Sequence, residues 1–200
     1  MVTTVSPATD NEDPRRARSR ARALAAAVEL LRDEGLQGLT IEAVAARSGV
    51  AKTTIYRQFE NRDALHLAAV DSVRAVTALP DTGDLVADVT AFCIGLNRAL
   101  RTGDFGALLS TGFDGAERSE SLARMLHDSG AQRRAVILDR LRRAQRDGVL
   151  LADVDVDVLN SQLIGPLFYR RFVSRQSTSA AWVGALAEAV LTPLLRSTSA

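Results

Sequence analysis

The stretch Thr40-Ile41-Glu42-Ala43-Val44-Ala45-Ala46-Arg47-Ser48-Gly49-Val50-Ala51-Lys52-Thr53-Thr54-Ile55-Tyr56-Arg57-Gln58-Phe59 decides the fold. Thr40 is a good N-cap for a short helix that Ser48-Gly49 ends, and a second short helix follows over Lys52 to Gln58. Two short helices joined by so tight a turn must cross steeply, which is the helix-turn-helix arrangement. That crossing needs a small residue on the first helix, and Ala45 supplies it. Four positions later it needs a residue tolerant of positive φ, and Gly49 supplies that. Ten positions after the alanine it needs an aliphatic plug, and Ile55 fits. Val44 and Val50 complete the local core.

The second helix has the side chains of a groove reader. Lys52, Thr53, Thr54, Tyr56 and Arg57 are polar or amphipathic, and such groups reach base edges and phosphates in a major groove. Thr40 and Asn61 stand at helix N-termini, where free N–H groups suit phosphate oxygens. Between Arg15 and Arg62 the chain has ten basic residues against five acidic ones. The whole chain sums to only +1, from 25 Lys+Arg and 24 Asp+Glu, so the basic charge is concentrated here.

Outward from this segment, every strong pattern is helical. Residues 1–12 read as a polar, disordered arm. Asp13-Pro14 begins a helix with Leu24, Ala27, Val28 and Leu31 on one face, and Gly35 stops it. Asn61 caps a helix from Arg62 to about Leu79, before the break at Pro80, Asp81 and Gly83. Further helices are expected from Asp84 to Arg101, over the short segment Phe105 to Thr111, and from Arg118 to Asp147. Asp153 to Val158 alternates like a strand, but it has no partner strand, so Asp155 is read as the N-cap of a helix. That helix reaches about Ser174 and kinks near Gly165-Pro166. A last helix spans about Ala180 to Leu195. The expected organisation is a 1–12 arm, a 13–60 helix-turn-helix domain, a 61–80 connecting helix and an 81–200 helical domain.

Composition narrows the function. An apolar content of 46% over 200 residues is enough for a folded core. No apolar run approaches the ~20 residues that span a bilayer, and the first residues lack a secretory core. Cys93 is the lone cysteine, which excludes an intrachain disulfide and fits a reducing cytoplasm. Its apolar surroundings make it a poor redox sensor. His66 and His127 have no acidic partners at metal spacing, so no metal and no cofactor are expected. No nucleophile pattern, carboxylate pair or Gly-rich phosphate loop points to an enzyme. Lys52 is the only lysine among 25 basic residues, a bias that genome composition explains.

Residues 22–70 resemble the DNA-binding domain of the TetR (tetracycline-repressor-like) family of transcriptional regulators. The matching run is Ala26-Ala27, Leu30, Glu34-Gly35, Thr40-Ile41, Val44-Ala45, Gly49-Val50, Thr54-Ile55-Tyr56, Phe59 and Asn61-Arg62-Asp63-Ala64-Leu65. Ala51 departs from the usual serine and Arg62 from the usual lysine. Gly148-Val149-Leu150 through Gly165-Pro166-Leu167-Phe168-Tyr169-Arg170 resembles one C-terminal subclass of the same family. The resemblance implies an all-α, two-domain homodimer, most often a repressor. Its three-helix N-terminal domain binds DNA, and its C-terminal domain binds a small, mainly apolar effector that alters operator affinity. Thr40, Lys52, Tyr56, Asn61 and Arg62 are expected on phosphates, and Arg15 and Arg18 of the basic arm on phosphates or in the minor groove. Lys52, Thr53, Thr54 and Arg57 are expected to read bases. A two-fold dimer predicts a palindromic double-stranded operator with half-sites about 34–36 Å or a multiple apart.

In the C-terminal half, Phe92, Cys93, Leu96, Phe105, Leu108, Phe113, Met125 and Phe168 are candidates for an effector pocket, with Asn97 as a polar member. His127 and Arg170 are weaker candidates. A plain hydrophobic core explains any one of the apolar residues better. Leu159, Leu163, Leu167, Phe172, Trp182, Leu186 and Val190 form an apolar stripe on the last two helices, expected as a four-helix dimer interface. An architectural module keeping the motif without specific sites is the alternative, and its DNA affinity would be sequence-independent and vanish in moderate salt.

Overall fold

A computed structural model describes residues 13–74 and 79–196. The expected arm lies outside the described residues, as does part of the expected connecting helix. The described residues form helices α1 (Pro14–Gly38), α2 (Ile41–Ser48), α3 (Lys52–Gln58), α4 (Arg62–Ser72), α5 (Leu85–Arg101), α6 (Phe105–Ala116), α7 (Glu120–Arg146), α8 (Val156–Phe168) and α9 (Ala180–Leu191). No strand occurs among them; one isolated antiparallel bridge joins Leu150 and Leu195. The protein is all-α. Contacts divide it into two compact units, one up to Ala69 and one from Val70 onward.

Caps set the helix starts as local chemistry requires. Asp13 accepts from the Arg15 amide, with proline at the first helical turn. Thr40 accepts from the Ala43 amide, and Asp155 accepts from the Asp157 and Val158 amides. The Asp153–Val158 alternation therefore resolves as a helix start. Gly35 breaks α1 at φ 66, and a last turn carries on to Gly38. The helix after Asn61 ends at Ser72 rather than near Leu79. After Pro166 the backbone widens into a π-turn over Tyr169–Val173 instead of continuing as an α-helix to Ser174. The last helix likewise tightens into a 3-10 turn at Thr192–Leu194.

In the first unit, α1 packs on α2 and α3 through a face rich in alanine. Ala23, Ala27, Leu31, Leu39, Val44, Ile55 and Leu65 are almost completely buried. In the second unit α5 packs chiefly against α9, and α6 against α7. Its core gathers Val89, Leu100, Leu108, Leu122, Leu141, Leu150 and Val183. Gly106 sits where α6 turns back across the end of α5. A Cβ there would lie 2.0 Å from the Leu100 carbonyl oxygen, so only glycine allows this approach.

Leu159, Leu163 and Leu167 belong to this core, at 1%, 0% and 0% exposure within the single chain. They have no surface left to give a partner, so the expected interface stripe is corrected for these three. They recur every fourth residue along α8 and share its inward side. Phe172, Trp182, Leu186 and Val190 are half-buried. The outward side of α8 carries Val158, Gln162, Gly165 and Tyr169.

One ion pair is enclosed in the second unit. Arg140 donates to Asp88 at 3.0 Å, and the two side chains are 8% and 1% exposed. Thr82 adds its amide and its hydroxyl to the same carboxylate. Arg140 also meets Asp81 at 3.3 Å, so α5, α7 and the segment before α5 are clasped together. Withdrawal from water pushes the pKa of Asp88 up, but the bonds from Thr82 and Arg140 outweigh it and hold the carboxyl below the usual carboxylate range. Its contribution to stability is therefore full above the ordinary carboxylate pKa and fades as the pH falls through the lower, folded value.

Two substitutions test this framework. Gly106→Ala should cost more than about 2 kcal/mol in denaturant unfolding, because the new methyl meets backbone. Asp88→Asn should lower the melting temperature at neutral pH and flatten the loss of stability on acidification. An unchanged acid slope would show that the clasp does not govern it.

Candidate nucleic-acid interface

The interface is built on α3, which has only seven residues and cannot hold itself as a helix. Ile55 is fully buried and anchors it, and Phe59 is buried just beyond its end. Gly49 joins it to α2 in the left-handed conformation, φ 66 and ψ 18. Arg22 of α1 donates to the Ser48 carbonyl beneath this turn, and the Ser48 hydroxyl accepts from the Val50 amide. A Cβ on Gly49 would lie 2.8 Å from the Arg22 guanidinium, so both space and backbone favour glycine. Ala51 caps α3 without a side-chain bond, the cost of having no hydroxyl there.

This support leaves Lys52, Thr53, Tyr56 and Arg57 exposed together, at helical offsets of one, four and five. They make one outward face, with Tyr56 54% exposed. Thr54 is half-buried and lies off its centre. Lys52 pairs with Glu42 of α2 at 3.0 Å, both side chains being mostly exposed. The hydrogen bond from Lys52 holds the Glu42 carboxyl below its ordinary value. Thr40 and Asn61 both spend a side-chain oxygen on capping, accepting from Ala43 at 3.0 Å and Ala64 at 2.8 Å. Arg62 is exposed and lies 4.0 Å from Asp63.

The arginines of α1, alike in sequence, divide by role. Arg15, Arg16 and Arg18 are exposed. Arg20 stacks over the Phe59 ring at 4.7 Å, and Arg22 pins the turn. The Arg16 carbonyl accepts from the Gln58 side chain, which brings the start of α1 beside α3. Sequence reasoning missed the pinning role of Arg22, because nothing local distinguishes it from its neighbours. Arg47 is held by Asp33 and Glu34 at 3.2 and 3.3 Å.

The residues expected around an effector separate as well. Cys93, Phe105 and Leu108 are core, while Phe92, Leu96, Met125 and Phe168 are half-buried. Burial pushes the Cys93 thiol up to about 12, which suppresses the reactive thiolate. Phe113 is 42% exposed and packs edge-on to Phe172 with ring centroids 5.6 Å apart. Asn97 is engaged by the chain itself: Arg101 and the Thr178 hydroxyl donate to it, and it donates to the Thr178 carbonyl. It clasps α5 to the loop before α9. Arg170 lies over Trp182 at 4.1 Å and donates to the Ser177 carbonyl, while His127 is exposed. Among the described residues no group of histidine, cysteine and carboxylate side chains is placed to hold a metal, and no helix is long and apolar enough to cross a membrane.

Comparison with known proteins agrees with this geometry. Residues 23–69 match the family described as bacterial regulatory proteins, tetR family. Residues 79–190 match the tetracyclin repressor-like C-terminal domain. The chain is 30% identical over 178 residues to the uncharacterized HTH-type transcriptional regulator Rv1556 of Mycobacterium tuberculosis, covering 88% of this chain and 87% of that protein. It is 26% identical over 162 residues to the uncharacterized HTH-type regulator YdeS of Bacillus subtilis, covering 80% and 81% of the two chains. The crystal structure of the TetR family transcription regulator SCO0332 superposes with a TM-score of 0.70 at 36% identity, over 88% of this chain and 98% of that one. With a helix-turn-helix in the first unit, and with a family model matching each unit, this chain belongs to the TetR family of DNA-binding transcriptional regulators, which are not enzymes.

Proposed function

We propose that this chain is a homodimeric repressor of the cytoplasm that binds a palindromic operator and releases it when a small, mainly apolar effector enters the C-terminal unit. The observation that carries the DNA-reading part is the single outward face of Lys52, Thr53, Tyr56 and Arg57 on an anchored helix. Thr53 and Arg57, with Thr54 at the margin, read base edges. Tyr56, Thr40, Asn61, Arg62, Arg15 and Arg18 set the register on phosphates. Lys52 exchanges Glu42 for a phosphate, at small cost because an exposed pair is weak.

The effector site lies among Phe92, Leu96, Phe113, Met125 and Phe168, which are not fully enclosed by the core. To act, an effector must favour one dimer geometry over another, and the chain between Arg62 and Leu79 is the covalent route for that response. Dimerisation uses the outward sides of α8 and α9. Residues 13–60 serve as the reading domain and 81–200 as the effector and dimer domain.

Selection of bound DNA from a random pool, followed by titration, tests this reading. A recovered palindrome with half-sites about 34–36 Å or a multiple apart supports it. Affinity without sequence preference that disappears in moderate salt would favour an architectural module. On the selected site, Arg57→Ala should cost about 1–3 kcal/mol and relax preference at one position. Lys52→Ala should weaken all sequences alike and reduce the salt slope by about 1. Glu42→Gln should tighten operator binding, since it frees Lys52 and removes a negative charge beside phosphate. Weaker binding by that variant would show that the carboxylate positions Lys52 for DNA.

A further inference from the structure

Past the end of α8 the chain gathers arginines and no acid. Residues 98–101 and 169–179 contain Arg98, Arg101, Arg170, Arg171 and Arg175, and neither stretch has a carboxylate side chain. The fold brings them to one place. Arg171 donates to the Leu100 carbonyl at the end of α5, at 2.8 Å, and Arg101 donates to the Gln176 carbonyl. Arg170 donates to the Ser177 carbonyl at 3.0 Å. These three guanidiniums thus spend only some of their N–H donors, and on neutral acceptors. Arg98 lies one turn before Arg101 and is exposed, as is Arg175. Among the described residues no carboxylate forms an ion pair with any of the five, whereas Arg118, Arg124 and Arg143 each meet one four residues back.

The loop beside them is polarised in the same sense. The carbonyls of Gln176, Ser177 and Thr178 all accept from side chains, those of Arg101, Arg170 and Asn97. The amides of Arg175, Gln176, Ser177 and Thr178 have no acceptor among the described residues. Ser174 has helical backbone angles and Arg175 has φ 55. A right-handed residue followed by a left-handed one turns neighbouring amides to one side, where they favour an anion. The Ser174 hydroxyl is shielded from water and has no partner of its own. The negative end of α5 explains why Arg171 caps it. It does not explain Arg170 or Arg175, nor the donors left over on a loop whose acceptors are spent.

We propose that Arg98, Arg101, Arg170, Arg171 and Arg175, with the amides of residues 175–178, form a binding site for the phosphate groups of a small phosphorylated ligand. Guanidinium forks and backbone amides match phosphate oxygens, and arginines already held by carbonyls lose little freedom on closing over them. Two linked phosphates suit the site better than one, because the guanidiniums come from α5, from the π-turn and from the loop after it. The site is built in the second unit alone, without residues of the reading helix. It takes charge where the proposed effector site takes apolar groups, and it stands or falls independently of that reading.

Titration calorimetry of the full chain with pyrophosphate at fixed ionic strength tests it, with sulfate as the control anion. Pyrophosphate should bind saturably, and about tenfold or more tighter than sulfate. Trp182 is the only tryptophan and has Arg170 over its ring at 4.1 Å, so its emission should change with the same midpoint. Arg98→Gln combined with Arg175→Asn removes two exposed charges, and asparagine tolerates the left-handed backbone at position 175. This double variant should keep the wild-type circular dichroism and raise the pyrophosphate Kd about tenfold or more. Arg146→Gln removes a charge near the other end of α8, where Arg142 meets Asp157 at 3.6 Å, and should leave the Kd unchanged. Tighter binding of ADP than of pyrophosphate, lost in the double variant, supports the site and identifies its ligand as a diphosphate ester. Equal binding of pyrophosphate and sulfate, or a double variant that binds like wild type, overturns the site. So does a wild-type chain without saturable binding; if the double variant then loses affinity for duplex DNA, the arginines serve the DNA backbone instead.

Discussion

The turn between α2 and α3 is the constraint on which the rest of the reading unit depends. A seven-residue helix has too few internal hydrogen bonds to pay for its own nucleation, so its shape must come from what it leans on. Ile55 supplies the buried contact, Gly49 the left-handed corner, and Arg22 the tie beneath the Ser48 carbonyl. Each acts on a different side of the same short segment. Together they fix where the outward face of α3 stands within its unit.

The second unit solves a different problem, that of joining long helices which could slide. Hydrophobic burial along α5, α7 and α8 is strong but nearly uniform in direction, and polar contacts give it register. Asp88 with Arg140 clasps α5 to α7, and Asn97 with Thr178 clasps α5 to the loop before α9. These bonds are specific because a buried polar group left unpaired is costly. The π-turn follows Pro166 by one turn of helix and closes with the Ser174 amide donating to the Tyr169 carbonyl.

Most of the local architecture was legible in the residues themselves. The Thr40, Asn61 and Asp155 caps, the Gly49 corner and the Ile55 plug are short-range features, and short-range chemistry specifies them. The Arg15 to Arg22 run was legible as charge but not as roles, since stacking on Phe59 and reaching Ser48 depend on residues far along the chain. The stripe Leu159, Leu163, Leu167 was legible as one apolar face. A stripe, however, does not say whether its own chain or a partner covers it. Asn97 beside an apolar face was legible as a candidate ligand contact, but not as an internal clasp, because its partner Thr178 lies far along the chain.

The sequence by itself determined an all-helical chain, the helix-turn-helix with the polar side chains of its second helix, and the concentration of basic charge upon it. All of these follow from spacing, caps and composition within a few turns of helix. Only the tertiary structure decided which apolar face of α8 points inward, which arginines are pins, and which gather past the end of α8. Those outcomes depend on contacts between residues distant in the chain, and one helix period serves a buried core and an exposed docking face equally well.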